Sequence, residues 1–383
     1  ERIMGSISRR KFFGVAGTTA AAFALMSLPG CGSSGAQSAS GSAASASSSA
    51  VANFMEQGKG QHLEVGVTGK LIKIAPAILA DQLGYFKEEG CDVSFQTISL
   101  ADAMASISVN KLDVDLFGIV PSCSYVSQGA SVYVFGGTIL NGSEILAPVS
   151  FTGDITNPET YRGLDIACSR EETGQMYLKN FLQENGFELG KDVVFTYVDN
   201  NTTALEGLRS GQNDLFITNN AMGFSLADET IKVIGGVCDV VGDHICCRQN
   251  CSEGAYKNKY LSLVDFEVAV LRGYDYYLNN KEDVIDRLCA YSAQERDYVE
   301  ASMYGTTEYR NLMNCSPDPY VNRVKEFYHV LENIGEIEKG TPYNMDKYAD
   351  ASIYRKALDI MLEREPNNKT YKDLDAVYEA HNC

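Results

Sequence analysis

Residues 102–117 read Asp-Ala-Met-Ala-Ser-Ile-Ser-Val-Asn-Lys-Leu-Asp-Val-Asp-Leu-Phe, and residues 203–216 read Thr-Ala-Leu-Glu-Gly-Leu-Arg-Ser-Gly-Gln-Asn-Asp-Leu-Phe. Ala103, Ile107, Asn110 and Asp113 match Ala204, Leu208, Gly211 and Asp214 position by position, and Asp-Leu-Phe closes each stretch. The apolar spacing predicts a helix, and the tail of each stretch predicts a strand. Upstream, the same order precedes both. Leu63-Glu64-Val65-Gly66-Val67 alternates as a strand. Ile74, Ala77, Ile78 and Phe86 predict a helix over 74–89 closed by Gly90, and residues 91–97 alternate again. The second unit repeats this with a strand at 163–167, a helix at 174–185 ended by Gly186, and a strand at 192–198.

Strands alternating with helices imply βαβ units and a largely parallel sheet, an α/β fold. One long sheet would show the same recurrence. Two lobes are preferred, because each unit is large enough to hold its own core. Past residue 245, segments 263–279, 281–292, 294–303, 321–334 and 351–363 predict a C-terminal helical layer. It is expected to pack on the first lobe, whose parallel strands need cover on both faces.

The chain has 383 residues, net charge −18, 45% hydrophobic and 21% charged residues, no Trp and 11 Cys. These are the fractions of a globular protein, which excludes collagen-like and wholly disordered chains. The length suits two or three domains, or one large two-lobed one. Beyond the N-terminus no apolar run approaches the roughly 18 residues of a spanning helix, which excludes a polytopic membrane protein. The acidic balance argues against nucleic-acid partners, since phosphate affinity rests on Lys and Arg clusters.

The first 30 residues carry a net +3 and differ in kind from the rest. Ser8-Arg9-Arg10-Lys11-Phe12-Phe13 reads as a twin-arginine export signal, followed by an apolar, small-residue core to Leu28. Leu28-Pro29-Gly30-Cys31 resembles a lipobox, making Cys31 the expected lipidation site. Two acyl chains suffice for stable anchoring. From Gly32 to Ala50, 18 of 19 residues are Ser, Ala or Gly, the composition of a flexible tether. The expected organisation is a signal peptide at 1–30, an acylated tether at 31–60, lobe 1 at 61–147 plus 245–383, and lobe 2 at 148–244.

The run Ala80-Asp81-Gln82-Leu83-Gly84-Tyr85-Phe86-Lys87-Glu88-Glu89-Gly90-Cys91-Asp92-Val93 resembles a landmark of one group of ABC-importer solute-binding proteins. That group is the nitrate/sulfonate/taurine and thiamine-precursor family. Gln128-Gly129-Ala130, Tyr161-Arg162-Gly163-Leu164 and Leu208-Arg209-Ser210-Gly211-Gln212-Asn213-Asp214 resemble its later landmarks. The resemblance spans about residues 62–290. It implies a type II periplasmic-binding fold: two α/β lobes, two hinge crossovers and a solute held between them. It also implies permease and ATPase subunits as partners of a monomer, which the signal and Cys31 lead one to expect lipid-anchored on the outer face of the membrane. No cofactor is expected.

Ligands of open α/β sheets sit beyond the C-terminal ends of the strands. That rule selects Thr68 and Lys70, Pro121 and Ser122, and Asn141 near the crossing. From the second lobe it selects Ser169, Arg170, Thr173, Gly174, Asn200, Asn219 and Asn220. Free N–H groups at helix N-termini favour an anionic solute there, aided by Lys70 and Arg170 and opposed by Glu171 and Glu172. Read singly, each is also an ordinary turn or cap residue. Without Trp, the stacking candidates are Tyr85, Tyr125, Tyr133 and Phe224.

His244, Cys246, Cys247 and Cys251 form the densest chemical cluster, but their spacing does not match zinc knuckles. Metal binding, a disulfide and buried free thiols all stay open. On a strand, Cys246 and Cys247 are expected on opposite faces. The chain shows no nucleophile elbow, Walker loop or zinc-protease helix, so no enzyme activity is expected. The alternative is a thiamine-pyrimidine synthase-like enzyme built around Cys246, Cys247 and Cys251. A third class is a sensory or adaptor lipoprotein of the same fold.

Overall fold

The computed structural model describes residues 55–219 and 221–383. The segments expected to be an export signal and a tether, up to residue 54, the expected lipidation site Cys31, and Asn220 lie outside the described residues. Among the described residues eleven strands follow one another: β1 (Leu63–Val67), β2 (Val93–Thr97), β3 (Val114–Asp115), β4 (Val132–Asn141), β5 (Glu144–Pro148), β6 (Asp165–Cys168), β7 (Val194–Tyr197), β8 (Leu215–Thr218), β9 (Ile231–Gly236), β10 (Ile245–Ser252) and β11 (Met313–Cys315). They form two sheets, ordered β11-β4-β10-β3-β1-β2 and β7-β6-β8-β5-β9. Each sheet holds one copy of the repeat as parallel pairs, β1 with β2 and β3, and β6 with β7 and β8.

The repeat is physical as well as sequential. Ser99 and Asn200 cap the helices Leu100–Ser108 and Asn201–Ser210, accepting from Asp102 N at 3.1 Å and Thr203 N at 2.9 Å. Ala103 and Ala204 are fully buried beneath them. Asn110 and Gly211 both turn the chain out of the helix with positive φ, 60° and 72°. Asp113 then accepts from Glu64 N at 2.9 Å, and Asp214 from Asp165 N at 2.8 Å, each pair 49 residues apart.

In the second sheet the period of two is clean. Ile145, Ala147, Ile166, Cys168, Leu215 and Ile217 face one core, with Leu178 and Leu182 of the helix Thr173–Glu184. Leu146, Ala167 and Phe216 face the other, with Ala204 and Leu208. In the first sheet β4 and β10 are buried along their whole length. The helical layer supplies that cover: Tyr260–Asn279 packs on Ala75–Gln82 and on Ser352–Arg364, and the last of these lies against β4.

Several expectations change. The helix expected over 74–89 is two, Ala75–Gln82 and Tyr85–Glu88, because Gly84 adopts φ 77° and breaks the ladder. A final helix, Lys369–His381, extends the layer beyond the expected segments. Residues 144–147, assigned to lobe 1, pair as β5 with β8 and β9 in the second sheet. The chain crosses at Gly142 and Ser143, where positive φ at Asn141 (58°) and Gly142 (90°) re-aims it. The return crossing runs from β9 through the short helix Val237–Val241 to β10. The two crossings are tied together: Asn141 Nδ2 donates to Asp243 Oδ1 at 2.8 Å, His244 N donates to Asn141 Oδ1 at 2.9 Å, and Val237 N donates to Ser143 O at 2.9 Å.

Candidate functional site between the lobes

Beyond the strand ends, the facing lobes enclose two adjoining cavities. The larger, about 380 Å³, is lined by Met104, Val120, Pro121 and Tyr125 on one side, Arg170 and Met176 on the other, and Glu336 from the helical layer. The smaller, about 190 Å³, is lined by Lys73, Gly118, Cys246 and Cys247 against Ser169, Thr173 and Asn219. Leu100 and Glu171 border both. A third cavity of about 150 Å³ lies at the ends of the second lobe's strands, with Ser169, Asn200 and Asn219 in its wall.

Pro121, Ser169, Arg170, Thr173 and Asn219 therefore come together around this cleft, whereas Asn200 lines only the third cavity, within the second lobe. Thr68 and Lys70 do not: Lys70 is exposed and lines none of the three cavities. Instead the chain leaves β1 through a single 3-10 turn, Ile72–Ile74, which turns Lys73 inward. Ser122 points into the core, donating to Asn250 Oδ1 at 2.9 Å. Asn141 is a hinge residue, as its bonds to Asp243 and His244 show. Gly174 is a packing residue, since a methyl there would come within 2.4 Å of Ser143 Cβ. Of the aromatic candidates only Tyr125 reaches the cleft. Tyr85 lies under Arg272, Tyr133 stacks on Tyr256, and Phe224 packs edge-on against Tyr309.

The second lobe's helix N-terminus is not free for a ligand, contrary to expectation. Glu172, fully buried, caps Thr173–Glu184: Gly174 N and Gln175 N donate to its carboxylate at 3.0 and 2.6 Å, and Ser143 Oγ donates to it from the hinge. The protein thus fills that dipole end with its own carboxyl group. Burial pushes this carboxyl up to about 7, against the pull of those bonds. The first lobe differs. Its helix Ile119–Ser127 has no side-chain cap, and its N-cap Gly118 lines the smaller cavity.

Cys246 and Cys247 do not diverge. β10 bulges there, so Ile245 pairs with Leu140 and Cys247 with Ile139, leaving Cys246 without a register partner. The two sulfurs lie 3.6 Å apart. Lys73 lines the same cavity wall as the two sulfurs, and their proximity holds its ammonium charged against its burial. The hydrogen bond from Cys246 holds the Cys247 thiol below its usual range, with Lys73 and Arg248 adding to the effect. That same bond, with burial, raises Cys246. Cys251 belongs elsewhere, paired with Tyr133 of β4 and Val114 of β3 and lining neither cleft cavity. His244 sits in the hinge against Tyr177, its ring pushed down to about 4 by burial. Among the described residues no three His, Cys, Asp or Glu side chains stand together as a metal-ligand set.

The charge in the cleft is mixed. Arg170 stacks on Tyr197 at 4.2 Å. Glu336 accepts from Lys179 at 3.3 Å and from Tyr197 at 3.3 Å, joining the helical layer to the second lobe at the cleft edge.

The chain resembles known proteins in both sequence pattern and shape. The nitrate-binding protein NrtA of Synechocystis PCC 6803 superposes with TM-score 0.63 at 13% identity, over 81% of this chain and 91% of that one. The aliphatic sulphonate binding protein SsuA of Escherichia coli gives 0.59 at 14% identity, over 76% and 92%. The ligand-binding component of an ABC-type import system from Staphylococcus aureus, solved with zinc bound, gives 0.58 at 12%, over 78% and 99%. These likenesses show the two-lobed periplasmic-binding fold. No curated protein matches in sequence. The NMT1/THI5-like family model matches residues 72–284, more than half of the chain, and the chain belongs to that family.

Proposed function

We propose that this protein captures a small anionic organic solute between its lobes and hands it to a membrane permease, as the solute-binding component of an ABC importer. The observation that carries this reading is the cleft: its cavities are walled from both lobes, with Lys73 on one side and Arg170 on the other. A solute that touches both walls is held fully only when the lobes are closed, so it shifts the balance toward closure. A micromolar ligand supplies about 8 kcal/mol, and moving a 1:99 equilibrium to 99:1 takes about 5.5 kcal/mol. The relatives named for sulfonate and nitrate direct the choice of solute. The twin-arginine-like run at residues 8–13 and the lipobox-like Leu28–Cys31 support a body held by lipid on the outer face of the membrane.

The test is calorimetry with alkanesulfonates, taurine and nitrate, paired with solution scattering. One of them is expected to bind and contract the particle. Lys73→Ala is expected to lower that affinity by a factor of ten or more, the worth of a charge-assisted bond of about 1.5–3 kcal/mol, while Lys70→Ala leaves it unchanged. A panel in which nothing binds overturns the reading.

A further inference from the structure

Solute capture leaves Cys246 and Cys247 unexplained. Both are buried at the margin of the first lobe's core, 7% and 2% exposed, and both line the wall of an inter-lobe cavity. Their sulfurs meet only because the bulge in β10 cancels the alternation of the strand. Register on either side is fixed, since Cys247 bridges Gly118 and pairs with Ile139. An ammonium group, Lys73, stands against the pair and opens onto the same cavity. A proton donor, two adjoining thiols and an accessible void are the parts of a thiol–disulfide exchange site.

We propose that Cys246 and Cys247 form a reversible dithiol/disulfide couple that reacts with small-molecule disulfides entering the cleft. The Cys247 thiolate attacks one sulfur of the incoming disulfide. A mixed disulfide forms, the original S–S bond breaks, and the first thiolate leaves with the bonding electron pair and takes a proton from Lys73. Cys246 then gives its proton to the neutral Lys73 amine and attacks the Cys247 sulfur. The second thiolate leaves and is protonated in turn. The protein dithiol ends as a disulfide between adjacent residues, and the incoming disulfide ends as two thiols. Cys247 is the attacking sulfur because the contact with Cys246 at 3.6 Å, with Lys73 and Arg248 adding to it, supports its thiolate. The eight other described cysteines lack such a setting: Cys91, Cys123, Cys168, Cys251 and Cys315 are buried apart from these cavities, Cys238, Cys289 and Cys383 line neither of them, and desolvation raises all eight thiols.

This inference does not depend on the cleft binding an anion. The test treats the folded wild-type chain with 2-hydroxyethyl disulfide, quenches with acid, alkylates the remaining thiols in denaturant and maps peptides by mass spectrometry. The expected result is a peptide in which Cys246 and Cys247 escape alkylation and are lighter by two hydrogens, reversed by dithiothreitol. Cys246→Ser is expected to stop at the mixed disulfide on Cys247. Lys73→Ala is expected to slow the first step several-fold at neutral pH and move its pH–rate profile upward. Full alkylation of both cysteines in the wild type, or a lasting mixed disulfide beside a free Cys246, overturns the proposal.

Discussion

The two lobes repeat one unit, yet they bring different charged groups to the cleft. Counting by the interval that carries Asp113 onto Asp214, Lys73 of the first lobe corresponds to Gly174 of the second. The first lobe thus presents an ammonium and an uncapped helix end. The second presents a helix end closed by Glu172 and pressed against the hinge. The shared unit supplies shape, and the departures from it supply charge. A repeat fixes where strand ends fall, because caps and turns are local. It does not fix which lobe attracts the ligand, because that depends on single side chains at equivalent points.

The contact at Gly174 gives the largest test of this contrast. Gly174→Val places carbon within 2.4 Å of Ser143 Cβ and 3.0 Å of Val237 Cγ2. The hinge and the helix cannot both keep their places. A loss of about 3 kcal/mol is expected in urea unfolding, as for an overpacked core position. An unchanged midpoint means the hinge and the helix are not locked together.

The paired aspartates come next. Asp113→Ala and Asp214→Ala each orphan a backbone N–H at the start of a strand, Glu64 or Asp165. Asp113 has a further partner, Lys259 Nζ at 2.8 Å, which also donates to His62 O at 2.8 Å. The expected costs are about 2 kcal/mol for Asp113 and about 1 kcal/mol for Asp214. Equal costs remove Lys259 from the first lobe's account.

Each lobe also hides a carboxyl. Asp115, fully buried with Oδ1 bonded to Asn250 at 2.7 Å and Oδ2 unpartnered, is pushed by burial from 3.8 up to about 7. Glu172 is pushed from 4.5 to about 7. In both cases the folded state holds its proton more tightly than the unfolded chain. Their stabilising contribution is therefore complete at acidic pH, below the unfolded values. It is lost as pH rises through the window up to about 7. Between pH 5 and 7, replacing either as Asp115→Asn or Glu172→Gln is expected to remove about 1.4 kcal/mol per pH unit from the slope of stability. Denaturant melts at several pH values measure it. A slope that only one substitution changes assigns the buried proton to one lobe alone.

How much of this was legible follows from what is local. Ser99, Asn110 and Asp113, with their counterparts Asn200, Gly211 and Asp214, act through bonds to near neighbours or to the adjoining strand, so their pattern announces the unit twice. The helical layer was legible from its apolar spacing, although its last helix and the break at Gly84 were not. The cleft was half legible. Ser169, Arg170, Thr173 and Asn219 follow from strand ends alone. Lys73 does not, because a one-turn 3-10 helix rotates it inward while Lys70 turns out. Glu172 was read as a charge opposing an anion, whereas it caps a helix, a place more often given to Ser, Thr, Asp or Asn. The meeting of Cys246 and Cys247 rests on a bulge, and nothing in an eight-residue strand of mixed polar and sulfur side chains announces where its alternation fails.

The smallest effect compares the outer edges of the lobes. His62, on the first lobe's edge, sets Nδ1 3.0 Å from Asp92 and Nε2 3.1 Å from Glu64. The hydrogen bond to Glu64, with Asp92 adding to it, raises the imidazole above 6.5. The charged ring is therefore favoured by folding. Its contribution is present at and below pH 6 and fades as pH rises past the folded value. Because all three side chains are well exposed, water screens the pair, and His62→Gln is expected to move the melting temperature by a degree or less at pH 6 and by nothing at pH 9. The corresponding edge of the second lobe carries no histidine, since Asp165 there takes its bonds from Asn213 Nδ2 at 2.7 Å and Thr196 Oγ1 at 2.9 Å. A pH-dependent loss that persists in His62→Gln moves the titrating group away from this edge and into the buried carboxyls, where the first lobe's Asp115 and the second lobe's Glu172 already compete to explain it.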